Sequence, residues 1–121
     1  MNIIVIHSSG WDFREKLYKP IRNSDLNKEH DFFLPQEKGE EGVTKELIQN
    51  ADLVFAEVSY PSTGQGIELG WANVYNTPIV CFHMADHKPS DSIKYVAKNL
   101  IAYTDKTDLI KRLTEFLQTL N

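Results

Sequence analysis

The stretch from residue 51 to residue 72 combines an apolar strand pattern, a Pro-Ser turn, two closely spaced glycines and an acidic residue. Gly64 and Gly66 follow the strand and can bring backbone N–H groups close to a ligand, because glycine has no Cβ. The positive end of the next helix favours phosphate or carboxylate. Glu68 is expected in the first turn of that helix, where the dipole keeps its carboxylate ionised. Such a group can act as a nucleophile or as an electrostatic clamp.

Short apolar runs alternate with amphipathic ones along the chain, which is typical of βα units on a parallel sheet. Strands are predicted at residues 3–7, 31–34, 53–58, 79–83 and 100–103. Helices are predicted after residue 10, where Pro20 should kink or end the helix, and over 43–50, 66–75, a turn or two near 91–98, and a final segment capped by Thr104 or Asp105. The expected fold is an α/β three-layer sandwich with a five-stranded parallel sheet, built as one domain over residues 1–121.

Right-handed crossovers place the carboxyl ends of all strands at one edge, where open parallel sheets bind ligands. The loops expected there are residues 8–11, the segment after Pro35, and residues 59–66 and 83–92. The glycine-rich segment should therefore lie near the loops that follow the first and fourth strands.

Composition excludes several classes of function. The formal net charge is −4 and the basic residues are scattered, so a polymeric nucleic acid is not an expected partner, although a small phosphorylated ligand is. The lone Cys81 lies in an apolar run and is expected to pack. The first residues form a strand pattern rather than a signal peptide, and no apolar run is long enough to cross a membrane, which predicts a cytoplasmic protein. His7 and His83 lack an acidic partner at metal-ligand spacing, so neither a metal nor another cofactor is predicted.

The spacing Pro61-Ser62-x-Gly64-x-Gly66-x-Glu68-Leu69-Gly70, preceded by Ala51-Asp52 and a strand, resembles the nucleoside 2-deoxyribosyltransferase family. Within that family it is similar to the branch of 2′-deoxynucleoside 5′-phosphate N-hydrolases. The motif covers about a fifth of the chain. The resemblance implies a flavodoxin-like fold with strand order 2-1-3-4-5, a homodimer, and cleavage of the N-glycosidic bond of deoxynucleosides or deoxynucleotides. It also implies that Glu68 attacks C1′ of the sugar.

This chemistry suits a carboxylate. Cleavage of a glycosidic bond passes through a cation-like sugar, which a carboxylate can stabilise and then bond covalently. Water resolves the intermediate in a hydrolase, and a second nucleobase resolves it in a transferase. An isolated Glu68 would more simply be a favourable acid at the start of a surface helix, but the surrounding motif outweighs that interpretation.

Ser62 bears on the choice of substrate. The resemblance implies that nucleoside-specific transferases carry an aspartate at this position, whereas the monophosphate hydrolases carry a serine. A hydroxyl beside the N–H groups of Gly64 and Gly66 can donate to a 5′-phosphate that a carboxylate would repel. Ser92 corresponds to a serine that the hydrolases contribute from the neighbouring subunit, although helix capping is an equally good interpretation of it.

The chain departs from the family pattern at two positions. Catalytically competent members carry an aspartate at the position of Thr44 and a strand tyrosine at the position of Ile6. Glu41, Glu46 or His7 could substitute for these groups, or activity could be weak, altered or absent. His7 is also a candidate substrate ligand, and Trp11 could stack on a nucleobase or simply pack at the start of the first helix.

The sequence thus predicts an N-glycosidase that acts on deoxynucleoside 5′-monophosphates. Its catalytic residue is Glu68, and its substrate-binding residues are Ser62, Gly64, Gly66, Ser92, Trp11 and His7. A non-catalytic nucleotide-binding module is the main alternative. Deoxyribosyl transfer between bases is disfavoured by Ser62.

Overall fold

The computed structural model describes residues 1–39 and 42–120, and in this part of the chain five parallel strands form one sheet. The strands are β1 (Asn2–His7), β2 (Asp31–Phe33), β3 (Leu53–Glu57), β4 (Ile79–Met84) and β5 (Asn99–Tyr103). Their spatial order is β2-β1-β3-β4-β5. The predicted α/β flavodoxin-like fold with strand order 2-1-3-4-5 is confirmed.

Helices flank the sheet on both faces. They are α1 (Lys19–Arg22), α2 (Leu26–Glu29), α3 (Lys45–Gln49), α4 (Thr63–Val74) and α5 (Lys106–Gln118). Asp105 caps α5 by accepting a hydrogen bond from the backbone N–H of Asp108 at 2.8 Å. The segment predicted to be helical near 91–98 is a 3₁₀ turn over Asp91–Tyr95. None of the helices in the described ranges is both long and apolar enough to cross a membrane.

Successive strand residues point to opposite faces, so the apolar runs supply two cores. Ile3 and Val5 of β1 pack under α1 and α5, while Ile4 and Ile6 pack under α3 and α4. Cys81 is buried in the second core, consistent with its apolar surroundings in sequence. Because both faces are covered, the central strands β1, β3 and β4 carry consecutive apolar residues instead of an alternating pattern.

Pro20 does not end the first helix, as one of the two predicted outcomes required, and an irregular turn precedes it. A π-helical turn over Arg14–Tyr18 leads directly into α1, which contains Pro20 and continues to Arg22. Proline has no N–H and its ring crowds the carbonyl four residues earlier. The wider turn, in which the N–H of Lys19 donates to the carbonyl of Arg14, accommodates the ring.

The helix α4 begins three residues before the predicted start at residue 66. Ser62 is its N-cap, and the Ser62 hydroxyl accepts a hydrogen bond from the N–H of Gln65 at 3.4 Å. Gly64 and Gly66 are therefore helical residues and not loop residues. Glu68 consequently lies in the second turn rather than the first, which corrects the prediction that helix-end N–H groups stabilise its charge.

We expect Leu113→Ala to destabilise the protein by about 2–5 kcal/mol, because Leu113 is fully buried under the sheet and its loss leaves a cavity. Leu120 follows the same helix but is 47% exposed, so Leu120→Ala should change stability by less than about 0.5 kcal/mol. Urea unfolding measures both, and equal effects would contradict the packing of α5.

Candidate active site

A cavity of about 200 Å³ opens beside the carboxyl end of β1 and the first two turns of α4. Because β1 pairs with β2 on one side and β3 on the other, this is the point at which the strand order reverses, where open α/β sheets bind ligands. We call it the Glu68 cavity. Its lining residues are Ile6, His7, Ser9, Pro35, Gln36, Gly42, Val43, Ser62, Gly64, Gln65 and Glu68.

The carboxyl group of Glu68 is partly buried in this wall. Burial raises its pKa from the ordinary 4.5 to about 7, because desolvation penalises the charged form. Within residues 1–39 and 42–120, no side chain or backbone N–H donates a hydrogen bond to it and no cation pairs with it. The group is therefore poised to bind either a proton or a positively charged ligand, not held permanently ionised as the sequence suggested.

His7 lines the same cavity, and its protonation state is fixed by its neighbours. Its Nδ1–H donates to the backbone carbonyl of Ser8 at 2.7 Å, since a carbonyl can only accept. Its Nε2 is then the acceptor for the Tyr18 hydroxyl at 2.6 Å, and that hydroxyl accepts from the N–H of Gln36 at 3.1 Å. Burial lowers the pKa of His7 and raises that of Tyr18 to about 12. His7 is therefore a neutral residue in the wall of the cavity near pH 7.

A second cleft, of about 350 Å³, lies on the other side of the start of α4. It contains Ser62, Gly66 and Ser92, and we call it the Ser92 cleft. Ser90, and not Ser92, caps the 3₁₀ turn over Asp91–Tyr95: its hydroxyl accepts from the N–H of Ser92 at 3.4 Å. The side chain of Ser92 is exposed. Ser62 and Gln65 line both the Glu68 cavity and the Ser92 cleft, so the two spaces meet at the helix start.

The two glycines differ in what they can offer a ligand. The N–H of Gly66 donates to the carbonyl of Ser62 at 3.1 Å and is used inside the helix, which corrects its predicted role as a phosphate donor. No acceptor among the described residues takes up the N–H of Gly64. A Cβ at either glycine would meet no atom within 4 Å, so both leave open space beside α4.

Trp11 lines neither of these spaces. Its indole N–H donates to the carbonyl of Ser8 at 2.8 Å, and its ring lies 5.6 Å from that of Tyr60 between centroids. The structure thus places Trp11 at the same sheet edge as Glu68, but outside the cavity wall.

Glu57, at the end of β3, is a second buried carboxyl group at this edge, and it is 1% exposed. It accepts hydrogen bonds from the N–H of Ser59 at 2.7 Å, from the Ser59 hydroxyl at 2.9 Å, and from the Tyr103 hydroxyl. Burial raises its pKa while these donors lower it. Glu57 is therefore a structural link between β3 and β5 rather than part of the cavity wall.

No family model matches the chain. It is 36% identical over 77 residues to a Methanosarcina barkeri protein named "Putative 2′-deoxynucleoside 5′-phosphate N-hydrolase 1", covering 61% of this chain and 48% of that protein. A protein of the same name from Methanosarcina mazei is 34% identical over 77 residues, covering 61% of this chain and 48% of that protein. Another from Thermofilum pendens is 32% identical over 76 residues, covering 59% of this chain and 53% of that protein. The chain spans about half the length of these curated relatives. These relatives support the resemblance of the chain to the nucleoside 2-deoxyribosyltransferase-like family.

Solved structures carry the same fold. The Clostridium botulinum CMP N-glycosidase superposes with a TM-score of 0.69 at 18% identity, covering 94% of this chain and 99% of that one. A conserved protein from Enterococcus faecalis superposes with a TM-score of 0.62 at 19% identity, covering 94% and 97%. At these identities the likeness shows the fold. The resemblance to the nucleoside 2-deoxyribosyltransferase-like family that the motif indicated is confirmed by the curated relatives.

The two departures from the pattern of the family that the chain resembles have clear positions in the structure. Ile6 lines the Glu68 cavity and gives it an apolar wall. Thr44 is the N-cap of α3, and its hydroxyl accepts from the N–H of Leu47 at 3.2 Å. Of the possible substitutes, His7 lines the cavity and Glu46 is exposed on α3. Glu41 lies outside the described residues.

Sequence reasoning missed three residues of the site: Tyr18, Gln36 and Gln65. Tyr18 is at a core position of the first helix, and only the fold brings its hydroxyl to His7. Gln65 lies between the two glycines of the motif, at a position where the motif specifies no residue type. A glutamine three residues before the motif glutamate is a usable signal of a second polar group at the site, since residues three apart share a helix face.

We expect Glu68→Gln to stabilise the protein at alkaline pH. A carboxyl whose folded pKa is about 7 instead of 4.5 stabilises the fold only while protonated, so stability falls as pH rises through this window. At pH 8.5 the variant should exceed the wild type by about 1–2 kcal/mol, a figure reduced for the partial exposure of Glu68. At pH 4 the two should be nearly equal. Denaturant unfolding at both pH values measures this.

The matched control is Glu46→Gln, because Glu46 is an exposed carboxyl on α3. It should change stability by less than about 0.5 kcal/mol at either pH. Equal stability of wild type and Glu68→Gln at pH 8.5 would show that Glu68 is solvated.

Proposed function

We propose that this chain hydrolyses the N-glycosidic bond of 2′-deoxynucleoside 5′-monophosphates, with Glu68 as the nucleophile. The observation that carries the proposal is a partly buried carboxyl without a partner among the described residues, in a cavity at the topological switch point. The curated relatives are named for this activity, which supports it.

The electrostatic environment of Glu68 suits such a reaction. A charge in a desolvated wall is stabilised most by a ligand that becomes positive, and the sugar becomes cation-like as the glycosidic bond breaks. The interaction is therefore stronger in the transition state than in the ground state, which is the requirement for catalysis. The apolar side chain of Ile6 strengthens it by keeping the local dielectric low.

The reaction proceeds in two balanced steps. First, a carboxylate oxygen of Glu68 bonds to C1′ while the C1′–N bond breaks and its electrons pass to the base, which takes up a proton. Second, water attacks C1′, the ester bond to Glu68 breaks, and the water gives up a proton. The products are the free base and 2-deoxyribose 5-phosphate, and Glu68 is regenerated as a carboxylate.

The 5′-phosphate is assigned to the start of α4. The N–H of Gly64 is free among the described residues, and the Ser62 hydroxyl accepts from Gln65 while keeping its own hydrogen for donation. The positive end of a 12-residue helix adds to both. Ser62 precedes Glu68 by six residues, about 9 Å along the helix axis, so the phosphate and C1′ of one nucleotide can be served together.

A non-catalytic nucleotide-binding module is the second candidate. It is favoured by the position of Thr44, whose hydroxyl is occupied in capping α3 instead of lining the cavity. In that case nucleotides bind at Ser62 and Gly64 without release of the base.

Assembly of two copies belongs to the proposal as well. Ile67 and Val74 of α4 are 51% and 75% exposed and lie seven residues apart, on one face of the helix. A second copy seated on this face would cover both, and it would bring further residues close to the Ser92 cleft.

We expect the purified protein to release free base from deoxynucleoside 5′-monophosphates, as detected by chromatography. Glu68→Ala should lower the rate roughly 10³-fold or more, since the nucleophile is lost. The value of kcat/KM should rise with pH through about 7, because only the ionised carboxylate attacks. Glu115→Gln is the control, because Glu115 is an exposed carboxyl on α5, and it should leave the rate unchanged. Release that survives Glu68→Ala would exclude the proposed nucleophile, and binding without release would favour the second candidate.

We expect Ser62→Asp to reverse the preference for phosphorylated substrates. Asp caps a helix as well as Ser does, so α4 keeps its start, but its charge repels a 5′-phosphate. The value of kcat/KM for monophosphates should fall roughly 10- to 100-fold relative to that for nucleosides. Ser62→Asn is the matched control, because it caps without a charge. The same loss in Ser62→Asn and Ser62→Asp would place the phosphate elsewhere.

A further inference from the structure

We propose that Gln65 determines which sugar the site accepts, by taking a hydrogen bond from a hydroxyl on the face of the sugar that Glu68 attacks. This inference rests on the proposed function, since it places the sugar over Glu68. Gln65 is 4% exposed, yet it lines both the Glu68 cavity and the Ser92 cleft.

The orientation of the Gln65 amide is fixed by the chain itself. Its Nε2 donates to the backbone carbonyl of Glu57 at 2.6 Å, and a carbonyl can only accept, so the nitrogen must face β3. The oxygen Oε1 is left on the other side. No donor in residues 1–39 or 42–120 hydrogen-bonds to this oxygen. The oxygen is also not completely shielded from solvent, since the one such atom without a partner among these residues is Ser8 Oγ. It is therefore an acceptor open to the space beside the start of α4, where Gln65 lines both the Glu68 cavity and the Ser92 cleft.

The carbonyl that holds Gln65 is itself held firmly. The side chain of Glu57 is buried and accepts from Ser59 and Tyr103, and the Ser59 hydroxyl in turn accepts from the N–H of Met84 at 2.8 Å. A side chain fixed by such a network loses little entropy on binding a ligand. Gln65 is a prearranged recognition group and not an adaptable surface amide.

Stereochemistry identifies the hydroxyls within its reach. In a β-nucleotide the base lies on one face of the sugar, so a nucleophile that displaces it approaches from the opposite face. The 2′- and 3′-hydroxyls of ribose lie on that same opposite face. Gln65 precedes Glu68 by three residues and shares its face of α4, between Glu68 and Ser62. A sugar with C1′ at Glu68 and its phosphate at Ser62 brings these hydroxyls toward Oε1.

The test compares the 5′-monophosphates of adenosine, cytidine, guanosine and uridine, each as the ribose, 2′-deoxyribose and 3′-deoxyribose form. Base release and calorimetric affinity are measured for the wild type and for Gln65→Met, which keeps the side-chain length but has no acceptor oxygen. We expect Gln65→Met to lose about tenfold on sugars that bear the recognised hydroxyl and nothing on the sugar that lacks it. An insensitive 3′-deoxy sugar identifies the 3′-hydroxyl, which the proposed deoxynucleotide substrate carries, whereas an insensitive 2′-deoxy sugar identifies the 2′-hydroxyl and makes ribonucleotides the preferred substrate.

Thr77→Val is the matched control. The Thr77 hydroxyl donates to the carbonyl of Ile48 at 2.9 Å, so this variant also loses one buried hydrogen bond, but away from the cavity. It should lower stability without changing the ratios between sugars. An equal loss on all three sugars in Gln65→Met, or no loss, would overturn the assignment.

The binding measurement separates this inference from the proposed function. Nucleotides that bind without losing their base would disprove hydrolysis, while discrimination between sugars in the wild type that Gln65→Met abolishes would still support the assignment. Equal affinity of the wild type for all three sugars, or no binding of any nucleotide, would overturn it even if Gln65→Met did not fold.

Discussion

The start of α4 is the constraint on which the site depends. The hydroxyl of Ser62 caps the first turn, and the side chain of Gln65 ties that turn to the end of β3 through the carbonyl of Glu57. Glycines destabilise a helix interior by about 1 kcal/mol each, so a segment with Gly64 and Gly66 in its first turn needs both attachments. Together they fix the direction in which Glu68, one turn further on, enters the cavity.

Two carboxyl groups near this helix start show how the same burial leads to different roles. Burial raises the pKa of both Glu57 and Glu68. The cost of burying the Glu57 carboxylate is offset by hydrogen bonds from Ser59 and Tyr103, and the residue links two strands. Glu68 has no such donors among the described residues, so the cost of its charge is left for a ligand to offset. A carboxylate that weakens the fold when ionised and gains when a cation-like group arrives is suited to a catalytic role.

Features set by local sequence were predicted, whereas contacts between residues distant in the sequence were missed. The amphipathic α5 follows from hydrophobic periodicity, whereas the strand order was implied by the motif's resemblance to a known family. The early start of α4 was missed because two glycines indicate a loop unless the cap at Ser62 is given its full weight. The contacts of Tyr103 with Glu57 and of Tyr18 with His7 join residues 46 and 11 positions apart, and no spacing rule predicts them. The roles of Ser92 and Trp11 in binding stay predictions.

Ile6 stands where the resemblance implies a tyrosine, and this difference changes the environment of the Glu68 carboxyl. A phenol beside Glu68 would donate a hydrogen bond and lower its pKa, whereas the apolar wall formed here raises it. The same wall makes the ionised form more reactive toward a developing cation, because no donor has to be displaced. His7 supplies an imidazole in the cavity wall, and Tyr18 supplies a phenol that is already hydrogen-bonded to it. The imidazole and the phenol that could manage a proton are therefore bonded to each other, and among the described residues neither is hydrogen-bonded to Glu68, the proposed nucleophile.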